Sequence, residues 1–324
     1  MEKNTVVETK KHNATLDVAK LFFALLVVAI HTEPFGFSFL LDKGFGIITR
    51  LCVPFFFVTS SYLFFQKDRK PLRYVRRIFT LYLIWCLLYL FINYAQVKGM
   101  TFSKLMIHYF WEGHDVLWYL MASVIGFLIT YTLSRKLSPT SILTIAIFFL
   151  VVGCIQSTYV PLFRRLFGVD IPELFGSRNG VVYAFPYYAL GLFMARQNPA
   201  NSSQKRTKYI GFAVCLCLLV AESVIFIMIF KTTTTILWLS VFPLTYYLFK
   251  ILNDIDITLP YNWSLIIRKT SIFIYVVHPF FLRAFDDLHY LTYFFVVALA
   301  SVVVSLLVVW LSGKRFFKWL QILL

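Results

Sequence analysis

Long apolar runs, each bounded by a short polar or charged segment, recur along the whole 324-residue chain. An apolar run of about 18 residues or more is the pattern of a helix that crosses a bilayer. The pattern therefore predicts an all-α integral membrane protein with about ten transmembrane helices in one bundle. The predicted spans are residues 17–36, 46–65, 78–96, 116–133, 140–158, 180–195, 209–230, 233–250, 266–284 and 290–312.

Composition agrees with this class. Hydrophobic residues make up 60% of the chain and charged residues only 14%, whereas a soluble domain has about 25% charged residues. A water-soluble core cannot hide that much apolar surface.

Between the third and fourth spans, the mixed segment 98–116 carries aromatic residues, which predicts a helix lying at the membrane interface. The first 15 residues are polar and lack a small-residue cleavage pattern, so we expect no removable signal peptide.

The net charge of +16 could indicate a nucleic-acid partner, and the placement of the cations bears on that. If both termini are cytoplasmic, 22 of the 31 Lys and Arg residues fall in cytoplasmic segments and nine in outer ones. Membrane proteins carry such an excess in their cytoplasmic loops. We therefore predict cytoplasmic termini and no nucleic-acid partner. The predicted organisation is a cytoplasmic tail at 1–15, one membrane domain at 16–312 and a second cytoplasmic tail at 313–324.

The first span, LDVAKLFFALLVVAIHTEP, holds four ionisable groups: Asp17, Lys20, His31 and Glu33. Lys20 and His31 are eleven residues apart, or about 16 Å along a helix. Ionisable groups inside a membrane are expensive, so they usually mark a functional site. In the outer half of the span, the His31 imidazole can act as general base, proton relay or substrate ligand. The alternative is a histidine that only hydrogen-bonds to a neighbouring helix.

A basic run follows the second predicted span. Arg73, Arg76 and Arg77 have helical spacing and can share one helix face. Such a face suits lipid headgroups or the phosphates of a nucleotide-bearing donor. The simpler interpretation is that these cations set membrane topology and bind lipid.

Polar groups also mark the outer ends of other spans. Arg178 and Asn179 precede the sixth span, where they can clamp a carboxylate or a polar acceptor or simply anchor the helix at the interface. Ser271, Tyr275 and His278 share one face of the ninth span. A second histidine within a span favours a shared polar cavity over two unrelated packing positions.

A metal site is not predicted. The sequence contains no H-x-E, H-E-x-x-H or C-x-x-C pattern. All five cysteines lie in apolar runs, where they are expected to be small packing residues.

These segments resemble the membrane-bound acyltransferase 3 family. The resemblance lies in LDVAKLFFALLVVAIHTEP, RLCVPFFFVTSSYLF with the basic LRYVRRIFTLY, LWYLMASVIG, YAFPYYALGLF and SIFIYVVHPFF, in the family's order. Within the family, LWYL and SRNGVVYAFPYYALG look most like the membrane domain of VanT-type serine racemases of vancomycin-resistant Gram-positive bacteria.

The resemblance implies a ten-helix protein of the bacterial plasma membrane. Typical members move an acyl group from cytoplasmic acyl-CoA to a hydroxyl of an extracytoplasmic acceptor such as a cell-wall or surface glycan. Family members carry an arginine, ten residues and then a histidine regarded as catalytic in the first helix. His31 matches the histidine, but Lys20 stands at the arginine position. Lysine keeps the charge and loses the bidentate fork.

Two functional hypotheses follow. The first is an O-acyltransferase with His31 as general base and acyl-CoA as donor substrate. The second is a VanT-type module that binds or imports L-serine for a cytoplasmic serine racemase domain, which these 324 residues do not include; Arg178 would then face the carboxylate and Glu33 the amine. The candidate site residues are Lys20, His31 and Glu33 as catalytic groups, Arg73, Arg76 and Arg77 for the donor, and Arg50, Trp118, Arg178, Asn179, Tyr275 and His278 for the acceptor.

Overall fold

The computed structural model describes residues 14–67, 69–107, 115–172, 174, 176–197, 205–230 and 236–324. Within these residues the chain forms helices joined by short turns and contains no β-strand. The α-helices are α1 Thr15–Thr32, α2 Phe39–Thr49, α3 Cys52–Gln66, α4 Pro71–Ile92, α5 Tyr94–Val97, α6 Phe102–Leu105, α7 Trp118–Ser134, α8 Pro139–Ile155, α9 Val160–Phe167, α10 Phe185–Ala195, α11 Lys205–Val224, α12 Val241–Asp254, α13 Tyr261–Ala284 and α14 Tyr290–Ser312.

The all-helical membrane class is confirmed. Among the described residues, six helical segments are long and apolar enough to cross a membrane, and α8 with α9 makes a seventh if this pair, bent by 71°, is one span. The other three predicted spans correspond to α7 with 17 residues, to the helical segment Gly180–Ala195, and to α12 with 14 residues. A crossing needs about 20 residues, so ten crossings and cytoplasmic termini stay predictions. Of the predicted interface segment 98–116, residues 108–114 lie outside the described residues.

The core surrounds α10, which packs against α3, α7 and α8. Close approach to α3 depends on small residues, as in other membrane helix pairs. A Cβ added to Gly191 would lie 2.5 Å from the Val58 carbonyl oxygen and 2.6 Å from the Ser61 Cβ. The Ser61 hydroxyl donates to the Tyr188 carbonyl at 2.5 Å, which fixes the register of the two helices.

Helix α1 is held at its start by the connection between α12 and α13. The Thr15 hydroxyl donates to the Ile255 carbonyl at 2.6 Å and accepts from the Ile257 amide at 3.0 Å. At the other end, Glu33 adopts φ 45° and its amide donates to the Ala29 carbonyl, which stops the helix before Pro34. The same helix packs along α13, so the polar groups of α1 meet those of α13.

A carboxylate on α11 caps α12. Glu222 accepts hydrogen bonds from the Tyr159 hydroxyl, the Leu239 amide at 3.1 Å, and both the amide, at 3.0 Å, and the hydroxyl of Ser240. Leu239 and Ser240 immediately precede α12, whose first amides have no partner within the helix. Glu222 therefore satisfies the turn that starts α12 and ties three segments together.

Replacement of Glu222 with Ala is expected to destabilise the protein, because four donors lose their acceptor. An unsatisfied buried donor costs about 1–3 kcal/mol. We expect a loss of about 2 kcal/mol or more, measured as a lower melting temperature of the detergent-solubilised protein. The exposed Asp287→Ala is the control and should change stability by less than about 0.5 kcal/mol. Equal melting temperatures for Glu222→Ala and wild type would contradict the capping role.

Candidate functional site

A basic cavity of about 190 Å³ lies between α1, α3, α4, α7 and α13, near the N-terminal end of α1. We call it the Lys20 cavity. Four cations line it, and no acidic side chain of the described residues does. Three serines and four tyrosines supply hydroxyl groups to the same wall. The lining comprises Lys20, Phe56, Ser60, Leu63, Arg69, Tyr74, Arg77, Ile78, Leu81, Tyr119, Leu120, Ser123, Tyr188, Arg268, Ser271, Ile272 and Tyr275.

Lys20 is fixed by its own helix and by α13. Its Nζ lies 3.9 Å from the Asp17 carboxylate, one turn earlier, and its side chain is 13% exposed. The Ser264 hydroxyl of α13 donates to the same carboxylate at 2.6 Å. Asp17 thus offsets one positive charge, so the arginines around the cavity leave it with net positive charge. A cavity of this kind favours an anionic ligand.

Only one of the three arginines on the predicted basic face of α4 lines the Lys20 cavity. Arg77 lines the Lys20 cavity and donates to the Leu324 carbonyl at 2.9 Å. Arg73 and Arg76 are exposed on α4 and do not line the cavity. Sequence analysis missed Arg69 and Arg268, which do line it. Arg268 falls inside the predicted span 266–284, and a charge at that position was the signal that could have found it.

A smaller cavity of about 80 Å³ lies toward the other end of α1, and we call it the His31 cavity. Five residues that were predicted from the sequence line this cavity. They come from α1, the turn between α2 and α3, α7, the Gly176–Gly180 turn and α13. Those five are His31, Arg50, Trp118, Arg178 and Tyr275, and Val27, Ile30, Thr49, Val53, Val116, Tyr183 and Ile236 complete the lining.

Aromatic stacking positions the guanidinium of Arg178. It lies 6.0 Å from the centre of the Trp118 ring, and the Trp118 and Tyr183 rings are stacked with their centres 5.7 Å apart. Cation–π contact holds a guanidinium in place while its N–H groups stay available to a ligand. The positive charges of Arg50 and Arg178 therefore face a cavity that also contains the His31 imidazole.

Asn179 shapes the site by capping rather than by lining the His31 cavity. Its side-chain oxygen accepts from the amides of Val181 at 2.7 Å and Val182 at 3.0 Å, and its amide nitrogen donates to the Gly176 carbonyl. These bonds begin the helical turn Gly180–Ala184, which carries Tyr183. Arg178 immediately precedes Asn179, so the cap helps to position both Arg178 and Tyr183, which line the His31 cavity.

His278 is a buried neighbour of His31. The two rings are 5.4 Å apart, and His278 has no exposed surface. Its Nδ1 lies 3.1 Å from the Ile274 carbonyl, so Nδ1 carries the proton and Nε2 is left as an acceptor. Nε2 has no hydrogen-bond partner among the described residues. His278 lines neither cavity, so its link to the His31 cavity is its ring contact with His31.

Glu33 lies in a third space, the Glu33 groove, of about 510 Å³. Asp42, Lys43 and Arg50 line it as well, and Arg50 also belongs to the His31 cavity. Lys43 donates to Asp42 at 3.2 Å. The groove thus presents both signs of charge beside the His31 cavity.

Tyr275 is the residue shared by the Lys20 and His31 cavities. Its hydroxyl donates to the Val116 carbonyl, and its ring meets Tyr119 edge-on at 5.2 Å. One side chain therefore separates a basic cavity at one end of α1 from a histidine-containing cavity toward the other end. No group of three or more His, Cys, Asp or Glu side chains with the geometry of a metal site occurs in the described part of the chain.

Comparison with known proteins gives the family. Residues 13–313 match the acyltransferase domain of the acyltransferase 3 family. Two amino-acid racemases of Enterococcus faecalis are 26% identical to the chain, over 235 and 217 residues, or 64% and 60% of it and 31% of each racemase. A serine/alanine racemase of Enterococcus gallinarum is 26% identical over 239 residues, or 65% of the chain and 33% of that protein.

The matched region is thus about a third of the length of these racemases. No solved structure matches the chain. The family match covers nearly the whole chain, including every residue that lines the two cavities joined at Tyr275. The protein therefore belongs to the membrane-bound acyltransferase 3 family.

Proposed function

We propose that the protein transfers an acyl group from acyl-CoA, bound on the cytoplasmic side, to a hydroxyl of an extracytoplasmic acceptor such as a cell-wall or surface glycan. The observation that carries this proposal is the meeting of two unlike cavities at Tyr275. One is basic and suits a phosphorylated donor. The other contains an imidazole and suits an acceptor hydroxyl.

On the donor side, Lys20 takes the place of the family arginine. Lysine supplies a point charge and lacks the fork that pairs with two phosphate oxygens. Arg69, Arg77 and Arg268 line the same cavity and supply guanidinium groups. The donor's anionic part therefore retains bidentate partners, and Lys20 adds a point charge to the same cavity.

On the acceptor side, His31 is the general base. It takes the proton of the acceptor hydroxyl as the hydroxyl oxygen bonds to the thioester carbonyl carbon. The carbon–sulfur bond then breaks, CoA leaves as a thiolate, and the proton on His31 passes to the sulfur. Cations near the reacting carbonyl, such as the guanidiniums of Arg50 and Arg178, stabilise the negative charge that develops on its oxygen.

In this proposal the Nε2 atom of His278, which has no hydrogen-bond partner among the described residues, accepts a hydrogen bond from the His31 ring when His31 acts as a base. Because the Nδ1 proton of His278 is committed to Ile274, its Nε2 can only accept a hydrogen bond. A bond from an N–H of His31 would leave the other nitrogen of His31 unprotonated, as a base requires. The 5.4 Å between the ring centres suits this pairing.

A second candidate function is binding or import of L-serine for a cytoplasmic racemase. The Glu33 groove favours it, because Glu33 and Asp42 can meet an ammonium group while Arg50 meets a carboxylate. The predicted Arg178 lines the His31 cavity and not this groove, so Arg50 takes its place in this hypothesis. The names of the enterococcal relatives agree with a racemase partner. Proteoliposomes that take up labelled L-serine no faster than empty vesicles would exclude it.

Replacement of His31 with Ala is expected to lower acyl transfer by about 10²–10⁴-fold, because a positioned general base contributes that much. The readout is release of CoA thiol from acetyl-CoA by membranes that contain the protein and its natural acceptors. CoA affinity should stay at the wild-type value, since His31 does not line the Lys20 cavity. The exposed His289→Ala is the matched control and should keep full activity. Undiminished turnover by His31→Ala would refute the base assignment.

Replacement of Lys20 with Met is expected to weaken CoA binding by about tenfold or more, because a hydrogen bond to a charged group contributes about 1.5–3 kcal/mol. Lys20→Arg keeps the charge and should retain binding. Calorimetry on the purified protein measures both, with Lys43→Met in the Glu33 groove as control. If Lys20→Met binds CoA like wild type, the donor does not occupy the Lys20 cavity.

A further inference from the structure

A second basic cavity, the Arg135 groove, adjoins the Lys20 cavity. It has a volume of about 580 Å³ and lies where α3, α7 and α10 end and α8 begins. Arg69 lines both spaces, so they meet at that side chain. The groove is lined by Phe64, Phe65, Arg69, Tyr131, Ser134, Arg135, Leu137, Pro139, Leu192 and Arg196.

The charged residues described in the lining of this groove are all cations. Arg69, Arg135 and Arg196 contribute three guanidinium groups, and no acidic side chain of the described residues lines the groove. Helix α8 begins at Pro139, which has no amide N–H, and the Ser138 hydroxyl accepts from the Ser141 amide at 3.1 Å. The helix dipole still adds partial positive charge at this end. Guanidinium forks and helix N-termini are the groups that proteins use to bind phosphate.

Three aromatic side chains, Phe64, Phe65 and Tyr131, line the Arg135 groove. Phe64 and Phe65 are buried, and the Phe64 ring meets Tyr131 edge-on at 6.3 Å. A planar base or an aliphatic chain can lie against such a surface while phosphates meet the guanidiniums. The volume is about three times that of the Lys20 cavity. The wider space therefore suits the bulky end of a ligand, and the narrower one suits a slender arm.

We infer that the Arg135 groove binds the phosphate-bearing nucleotide end of the donor, while the acyl-pantetheine arm passes Arg69 into the Lys20 cavity. This inference rests on the proposed function, since it assumes an acyl-CoA donor. It adds Arg135 and Arg196 to the donor site, neither of which the sequence pattern singles out. Both residues are also C-caps, of α7 and α10, where a cation offsets the helix dipole. An experiment must separate the two roles.

The test compares a ligand with phosphates and one without. Wild type, Arg135→Gln, Arg196→Gln and the double variant are placed in lipid nanodiscs, and equilibrium dialysis measures binding of labelled CoA and of labelled S-acetylpantetheine. Each single variant should weaken CoA binding at least threefold and the double variant at least tenfold. Binding of S-acetylpantetheine should not change. Lys136→Gln, an exposed neighbour that does not line the groove, should match wild type for both ligands.

Each other result overturns the inference in a distinct way. Equal weakening for CoA and S-acetylpantetheine assigns the arginines to capping alone. Unchanged CoA binding with loss of co-purified phosphatidylglycerol, measured by native mass spectrometry, assigns the groove to a lipid headgroup. Unchanged CoA binding with unchanged lipid excludes a phosphate site and leaves the proposed function intact. Absence of CoA binding in wild type refutes the proposed function, and this inference with it.

Discussion

Charge is expensive inside a membrane, and this constraint organises the structure. A charged side chain at the centre of a bilayer costs at least about 2.5–3.5 kcal/mol. Near the N-terminal end of α1, the charge of Lys20 is offset by an ion pair with Asp17. The hydroxyl of Ser264 on α13 donates a hydrogen bond to the same Asp17 carboxylate. The pairing sets α1 against α13, and that contact places His31 beside His278 at the other end. The contact with α13 therefore helps to fix the positions of Asp17 and His31 on α1.

Division of the polar interior by Tyr275 follows from the same pair of helices. The α13 residues Ser271 and Tyr275 face the Lys20 cavity, and Tyr275 also closes the His31 cavity. Because its hydroxyl is bonded to the backbone before α7, the ring is anchored across the bundle. In the proposed function, a phosphorylated donor in one cavity and a hydroxyl acceptor in the other both approach this side chain.

Much of the fold could be predicted from sequence, since hydropathy alone gives the all-helical membrane class and places most helices within a few residues. Hydropathy could not predict how long each helix is. The run at 233–250 predicts a full span, but α12 begins at Val241, because Glu222 of α11 caps the turn before it. Capping by a residue from another helix leaves no local pattern.

The site was predictable where a polar group interrupts an apolar run. Arg50, Trp118 and Arg178 were predicted from their places at the ends of spans and Tyr275 from the helix face it shares with His278, and the structure brings these four together with His31. Arg69 and Arg135 could not be separated from other loop cations, because the positive-inside bias gives every such loop the same composition. Which loop arginine faces a cavity depends on how the helix ends pack.

The most direct test of the proposed function is to measure acetyl transfer from one side of the membrane to the other. Inside-out membrane vesicles are given labelled acetyl-CoA outside, which is their cytoplasmic face, and acetyl label is then measured on the glycan enclosed in the lumen. We expect label to enter the lumenal glycan, CoA to stay outside, and vesicles with His31→Ala to transfer label at least about 100-fold more slowly. Label confined to products on the outer face of the vesicles, or equal transfer when acetyl-CoA is supplied only from the lumen, would contradict it.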